Sequence, residues 1–201
     1  MRRCLDVLLL SLVVTASTLA QEKQPEGCGC LPTATKLIRG GDAQQTVFVD
    51  VTDVNDLYLV VTYGGDSYDS DQAIWGNPIL VDRDAKRVDM TTLQPHGHQL
   101  GWGKLCVNKD QNGGSLCIAG KPIEKGFWAH GPSYLHFELD GKYTQFEAQV
   151  GIDTGAGTRG SVEFIVTNAK PKMPSAAEFK KGGDAPSARV VAEPTLATPP
   201  D

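Results

Sequence analysis

The chain has 201 residues, of which 40% are hydrophobic and 21% are charged, and its formal net charge is −5 at pH 7. This composition is typical of a soluble globular protein, and the length allows one domain of about 120 to 150 residues with tails. A mildly acidic chain without a basic stripe argues against nucleic acid or an anionic membrane as the main partner.

Residues 1–20 have the pattern of a secretory signal peptide. A basic start (MRR) precedes an apolar run (VLLLSLVV), and the small residues of ASTLA predict cleavage after Ala20. The apolar run is short for a membrane span, so we expect a secreted or periplasmic protein with no span in its mature form. A retained N-terminal anchor is the alternative.

Four cysteines follow the predicted signal peptide, and export would allow them to form disulfides. Cys106 and Cys117 flank VNKDQNGGSL, in which Asn112-Gly113 is typical of a hairpin turn. The sequence therefore predicts a hairpin closed by a Cys106–Cys117 disulfide, worth about 3 kcal/mol in the chain-entropy model. Four cysteines allow three connectivities, so the pairing of Cys28 and Cys30 stays open.

The first half of the predicted domain consists of strands and loops. Residues 46–62 contain two strands of alternating apolar residues on either side of DVND. An acidic loop at 64–73 precedes a strand at 74–82, whose proline, Pro78, suits a sheet edge or a bulge. Residues 94–103 (QPHGHQLGWG) are predicted to be a loop.

The second half has the clearest strand pattern. Residues 134–139 and 145–150 alternate apolar and polar side chains and are joined by Asp140-Gly141, a pair typical of tight turns. A Gly-rich loop leads from there to a third strand at 161–166. Three antiparallel strands with one apolar face need a second layer to cover it, so we expect an all-β sandwich.

The predicted organisation has four parts. A signal peptide (1–20) is followed by a loose polar leader (21–45), a β-sandwich (46–168) and a Pro/Ala/Lys-rich tail (169–201). The tail has the composition of a disordered or linker-like segment.

The acidic loop is a candidate metal site. Asp66, Asp69 and Asp71 lie within six residues, and carboxylates together with loop carbonyls are the ligands that calcium prefers. The spacing is not that of an EF-hand. The alternative is a solvated turn whose aspartates accept hydrogen bonds from backbone amides.

The tryptophans are candidate ligand contacts, because sugar rings have apolar C–H faces that stack on aromatic rings while nearby polar groups bind the hydroxyls. For Trp75 and Trp102, packing in the core or between sheets is the alternative. The candidate ligand-binding residues are Trp75, Trp102, Trp128, His98, His130 and Asp153, with Asn108, Lys109 and Asp110 as further polar partners.

No motif indicates catalysis. Glycoside hydrolysis needs two positioned carboxylates, and no pair stands in a recognisable motif. Ser133 lacks a nucleophile elbow, and His96 and His98 lack further ligands for zinc. GAGTRG (155–160) matches GxGxxG but leads into a strand, so no helix N-terminus could hold a pyrophosphate. We expect a non-catalytic protein.

Several segments resemble the NPCBM (novel putative carbohydrate-binding module) family. They are KGFWAHGPS, FELDGKYTQFEAQVGID and GSVEFIV, with LYLVVTYGGDSYDSDQAIWGNPIL and GWGKLCVNKDQNGG upstream, and together they cover roughly residues 46–168. The resemblance implies a galactose-binding-like jelly roll with a structural calcium in the loops. The chain departs from the family pattern at Trp128, where relatives usually carry a small or hydroxyl residue, and at Thr154, where many carry a second aspartate.

The functional prediction follows from this resemblance. It implies a secreted module that binds glycans, including galactose-containing ones, through loop aromatics and polar groups. In the family such modules usually accompany glycoside hydrolases. The alternative is a protein-interaction or structural module of the cell envelope that uses the same fold without sugar affinity, since a fold does not determine function. An exposed aromatic patch would favour sugar binding, and three buried tryptophans would favour the alternative.

Overall fold

The computed structural model describes residues 31–174, and these fold into two antiparallel β-sheets that pack face to face. Within them the strands are β1 (Thr33–Ala34), β2 (Ile38–Arg39), β3 (Gln45–Asp50), β4 (Asp56–Val61), β5 (Gln72–Asp82), β6 (Arg87–Asp89), β7 (Gly97–Leu100), β8 (Cys106–Val107), β9 (Cys117–Ile118), β10 (Lys121–Pro122), β11 (Gly126–His130), β12 (Ser133–Glu138), β13 (Tyr143–Ile152), β14 (Ser161–Val162) and β15 (Phe164–Thr167). Two single-turn 3-10 helices span Met90–Thr92 and Thr154–Ala156.

The strand order defines the two layers. The five-stranded sheet has the order β1-β15-β4-β12-β7, and the six-stranded sheet has the order β3-β13-β5-β11-β8 with β6 beside β5. The short pairs β2-β14 and β9-β10 lie outside these sheets. β7 and β8 are therefore the last strands at one end of the two layers.

The core lies between the sheets because each layer turns its alternate apolar residues inward. Phe127 and Phe137, from opposite sheets, meet with ring centroids 5.7 Å apart. Trp75 lies in the same core with no exposed surface, 5.0 Å from the Phe164 ring centroid. These contacts confirm the predicted all-β sandwich. Burial of each large apolar side chain contributes about 1.5–3 kcal/mol.

The strand positions are predicted well, but their pairing is not. The predicted strands at 134–139 and 145–150 correspond to β12 and β13, and Asp140 and Gly141 have the positive φ angles of a tight turn. These strands nevertheless belong to different sheets, as do β3 and β4. The turn crosses from one layer to the other, and its Gly141 N–H donates to Val54 O on the neighbouring β3–β4 connection at 3.0 Å.

The hairpin predicted between Cys106 and Cys117 is wrong. β8, which carries Cys106, pairs with β11, and β9, which carries Cys117, pairs with β10. Both thiols are free in the structure, so the predicted disulfide is not formed there. Trp128 lies opposite Cys106, and it gives β8 a buried apolar surface that a two-stranded hairpin would lack.

Two further segments differ from the prediction. Part of the expected leader joins the domain, because β1 pairs with β15, β2 pairs with β14 and Ile38 is fully buried. The expected loop at 94–103 contains β7, whose sequence GHQL has no apolar alternation. By contrast, Pro78 occupies a bulge of β5, where the register with β13 shifts between Gly76 and Ile79.

The predicted signal peptide and most of the predicted tail, with Cys28 and Cys30, lie outside the described residues. Across residues 31–174, no helix is both long and apolar enough to span a membrane.

Candidate functional site

The candidate site is built around the end of β11, an almost completely buried strand. Alternate side chains of this strand point to opposite faces of the six-stranded sheet. Phe127 faces the core between the sheets, whereas Trp128 packs in a separate apolar cluster on the outer face. His130 follows on the same outer face at the end of the strand.

Trp128 is a packing residue of this outer face. It has no exposed surface and packs with Ile74, Cys106, Leu116, Ile118 and Ile123. Its indole N–H faces the carboxylate of Asp153 without full hydrogen-bond geometry. This contact partly opposes the rise in the Asp153 pKa that is described below. A ligand could not stack on a ring that is enclosed in this way.

Asp153 lies at the end of β13 and is also enclosed. One carboxylate oxygen accepts from the Gly155 N–H at 2.8 Å, and the other has no hydrogen-bond partner. Burial raises the pKa of Asp153, and the nearby Asp110 raises it further, while the Gly155 N–H and the Trp128 indole oppose the shift. The carboxyl group therefore supports the loop rather than contacting solvent.

His130 is the polar centre of the candidate site, and only 5% of it is exposed. Its Nδ1 lies 2.7 Å from the Gly131 carbonyl oxygen, which can only accept, so Nδ1 carries a proton. Burial lowers the pKa of His130, against weaker opposing effects of the Gly131 carbonyl and Asp69. The ring is therefore neutral at neutral pH, and Nε2 is left as a hydrogen-bond acceptor.

Trp102 supplies an exposed aromatic surface next to His130. Its side chain is 52% exposed, and its ring centroid lies 5.3 Å from that of His130 in an edge-on arrangement. Tyr68 contacts the same histidine with a centroid distance of 6.4 Å. A solvent-facing indole, a half-buried phenol and a neutral imidazole thus converge at one end of the sandwich.

The acidic loop lies against this cluster. The Asp66 carboxylate accepts from the Ser161 hydroxyl at 2.8 Å, and Asp71 Oδ1 accepts from the Ser161 N–H at 2.9 Å. Asp71 Oδ2 is buried without a partner. The loop also approaches Gly160 so closely that a Cβ atom there would lie 2.3 Å from Ser70 O. Asp69 is exposed.

Asp71 is the most perturbed acid of the described residues. Burial raises its pKa to about 8, and the neighbouring Asp66 and Asp69 add to the rise while the Ser161 N–H opposes it. Without a cation the group is therefore largely protonated at neutral pH. Across residues 31–174, no three His, Cys, Asp or Glu side chains are arranged to share a metal ion.

The structure thus separates the residues that the sequence grouped. Trp75 is corrected to a core residue and Trp128 to an enclosed packing residue, because neither has exposed surface, and Asp153 is corrected to a loop-supporting residue, because its free carboxylate oxygen is buried. Trp102 and His130 are brought together. His98 is exposed on β7, in a groove beyond the Trp102 loop. The sequence did not indicate Tyr68 as a candidate, because the acidic residues around it are typical of a solvated turn.

Comparison with known proteins gives one family match. The model of the NPCBM/NEW2 domain matches residues 30–81 and 86–192. Comparison with curated protein sequences finds no match. Among solved structures, the chain is similar to the SPBc2 prophage-derived protein YomS at 10% identity, over 68% of this chain and 93% of that chain, with a TM-score of 0.29. A TM-score this low supports no conclusion about function.

Proposed function

This chain belongs to the NPCBM/NEW2 domain family, and on that basis we propose that it is a secreted, non-catalytic module that binds glycans. The observation that carries the proposal is the exposed ring of Trp102 beside the neutral imidazole of His130. An exposed aromatic ring offers the flat apolar surface on which the C–H face of a sugar stacks. Galactose-containing glycans are the first class to test.

His130 supports the proposal by supplying a specific polar contact. Because its Nδ1 donates to Gly131 O, its Nε2 can accept a hydrogen bond from a sugar hydroxyl. Burial holds the ring in one orientation, so little conformational entropy is lost when a ligand binds. Tyr68 adds a second aromatic ring beside His130.

The acids nearest to this site favour binding without catalysis. A glycoside hydrolase places two carboxyl groups on either side of the scissile bond. Asp71 and Asp153 are buried near His130, with at most 4% exposed surface, so they cannot flank a glycosidic bond, and the exposed Asp69 has neither of them as a second carboxyl group. We therefore assign Asp71 and Asp153 structural roles in the loops that support the binding surface.

A glycan array, probed with residues 21–201, tests the proposal. We expect binding that Trp102→Ala abolishes and that Trp102→Phe largely retains, since phenylalanine keeps a ring for stacking. Tyr134→Ala, on the outer face of the other sheet, is the control aromatic variant and should bind like the wild type. Absence of binding from folded protein, or equal binding by the two Trp102 variants, would overturn the proposal and favour a protein-interaction module.

We also propose that the acidic loop binds a structural calcium ion. The unpartnered, fully buried Asp71 Oδ2 supports this, because a cation would supply the missing partner and allow the carboxylate to ionise. Asp71 would be the principal ligand with loop carbonyls, and the loop would have to rearrange to bring Asp66 and Asp69 to the same ion.

Thermal unfolding with calcium and with chelator tests this second proposal. Calcium should raise the midpoint of the wild type at alkaline pH and leave that of Asp71→Asn unchanged, because ligand binding to the folded state adds stability. Asp84→Asn, an exposed acid in a distant turn, should respond like the wild type. A midpoint that calcium does not change in the wild type would exclude the site.

A further inference from the structure

A second concave surface lies on the far flank of the loop that carries Trp102. It is a groove of about 620 Å³, within the range of roughly 300–1,000 Å³ that is typical of ligand sites. It lies along the open side of the sandwich, between the end strands β7 and β8. Its lining residues are Thr91, Thr92, Leu93, Gln94, Pro95, His98, Gln99, Leu100, Gly103, Lys104, Leu105 and Val107.

The groove has an apolar base and a polar rim. Leu93 and Leu105 are partly buried and pack against the main core, and Val107 is exposed beside them. Gln94 and His98 contribute side chains that can donate hydrogen bonds, and the β7 register places His98 opposite the core residue Leu135. An apolar base with a few polar groups suits a ligand that has both C–H faces and oxygen substituents, as a sugar residue does.

The charge of the groove differs from that of the chain as a whole. The chain has 24 acidic side chains and a net charge of −5, yet among the described residues that line the groove none is Asp or Glu. Lys104 is the one lining residue that carries a fixed positive charge. The groove is therefore suited to a negatively charged group in a protein that is otherwise acidic.

The acid that precedes the groove in the chain, Asp89, is already paired with a lysine. Lys125 Nζ lies 2.7 Å from Asp89 Oδ2, and Asp89 Oδ1 accepts from the Thr91 N–H at 2.9 Å. These contacts, with that of the Thr91 hydroxyl, lower the pKa of Asp89 despite the opposing effect of burial. The Asp89 carboxylate is thus already bonded to Lys125 and to the turn at Thr91. No acidic residue of the groove lining is present to compete with a ligand for Lys104.

The groove and the proposed glycan site share the loop that carries Trp102. Leu100, Gly103 and Lys104 line the groove, and Trp102 stands between them with its ring against His130. One oligosaccharide could therefore lie over Trp102 and continue into the groove.

We propose that the groove binds an acidic residue, bearing a carboxylate or a sulfate, of an oligosaccharide whose neutral residue stacks on Trp102. Lys104 pairs with the anionic group, while His98 and Gln94 donate hydrogen bonds to neighbouring oxygens. This inference rests on the proposed glycan binding and specifies its ligand class. The Lys104 side chain is exposed, so its contribution to affinity is moderate and sensitive to salt.

The test uses glycans that differ only in an acidic group. The array carries matched neutral, sulfated and uronic or sialic acid forms, including lactose, sulfated lactose and sialyllactose. The best acidic glycan and its neutral counterpart are then titrated by calorimetry at about 50 mM and about 300 mM salt. We expect the acidic form to bind about fivefold more tightly at low salt, and high salt to reduce this preference.

Lys104→Gln should remove the preference for the acidic form and leave the affinity for the neutral form unchanged. Lys86→Gln is the control, because Lys86 is exposed in a distant turn and does not line the groove. Neutral and acidic forms that bind equally to the wild type, or a preference that survives in Lys104→Gln, would overturn this inference while glycan binding stands. If the wild type binds neither the neutral nor the acidic glycans, the proposed function itself is wrong.

Discussion

Asp71 offers a quantitative test of the structure around the acidic loop. Its pKa of about 8 in the folded protein stands well above the ordinary 3.8, because the carboxyl group is buried. Between these two values the folded protein holds a proton that the unfolded chain has released, so the free energy of unfolding falls as pH rises. The full loss is about 6 kcal/mol, at about 1.4 kcal/mol for each pKa unit.

Asp71→Asn removes this titration and keeps the shape of the side chain. The amide oxygen can still accept from the Ser161 N–H, which Asp71 Oδ1 does at 2.9 Å. With calcium chelated, we expect the wild type to lose about 4 kcal/mol more stability than Asp71→Asn between about pH 5 and pH 8.5. Local opening of the loop can hydrate the carboxylate, which limits the loss to the free energy of that opening.

Urea unfolding at several pH values, with chelator throughout, measures this difference. Other titrating groups contribute to the slope of both proteins, so the difference between the wild type and Asp71→Asn isolates Asp71. Asp84→Asn is the control for removal of an exposed carboxylate, and it should follow the wild type. If the wild type and Asp71→Asn lose stability in parallel, Asp71 is ionised and hydrated in the folded protein, and the burial argument fails.

Three further predictions concern the same end of the sandwich. Trp128→Ala should lower the free energy of unfolding, measured in urea, by about 3–5 kcal/mol because it opens a cavity. Trp102 is exposed, so Trp102→Ala should change it by about 0.5 kcal/mol or less. Similar losses from the two variants would show that Trp128 is not buried. Gly160→Ala should lower the free energy of unfolding by about 3 kcal/mol, since it combines a φ of 82° with a clash against Ser70 O. Gly113 has a similar φ but open space around it, so Gly113→Ala should lower it by about 1 kcal/mol. Equal losses would show that Gly160 and Ser70 are not in close contact. Glycan affinity should stay constant down to the ordinary histidine pKa of about 6.5 and fall only below it, when His130 Nε2 gains a proton; affinity that stays constant at acidic pH would rule out Nε2 as an acceptor.

The fold class could be predicted because apolar alternation reports which strands have one buried face. Residues 145–150 lie within β13, and Pro78 lies at a bulge, as local chemistry indicates. Pairing could not be predicted in the same way. Positive φ angles at Asp140 and Gly141 specify a reversal of the chain, but they do not determine whether the next strand joins the same sheet or the opposite one.

The candidate site was predicted in part for a related reason. A tryptophan in a strand has the same sequence signal whether it faces the core, as Trp75 does, or an enclosed outer face, as Trp128 does. Only Trp102, in a glycine-flanked segment, is exposed. The partner of each aromatic residue depends on long-range pairing, so the contact between Trp102 and His130 had no signal in the local sequence.

The crossing turns also affect how the chain can fold. Among the larger pairings, β4 must find β12, and β3 must find β13, so these pairings close loops of about half and about two-thirds of the described residues. Loop closure of this kind makes folding slow, in the range of milliseconds to seconds for β-sandwiches. Neither sheet can form until its distant strands have been synthesised. A chain with this topology stays unfolded until its C-terminal strands have emerged, which is compatible with the secretion that we propose.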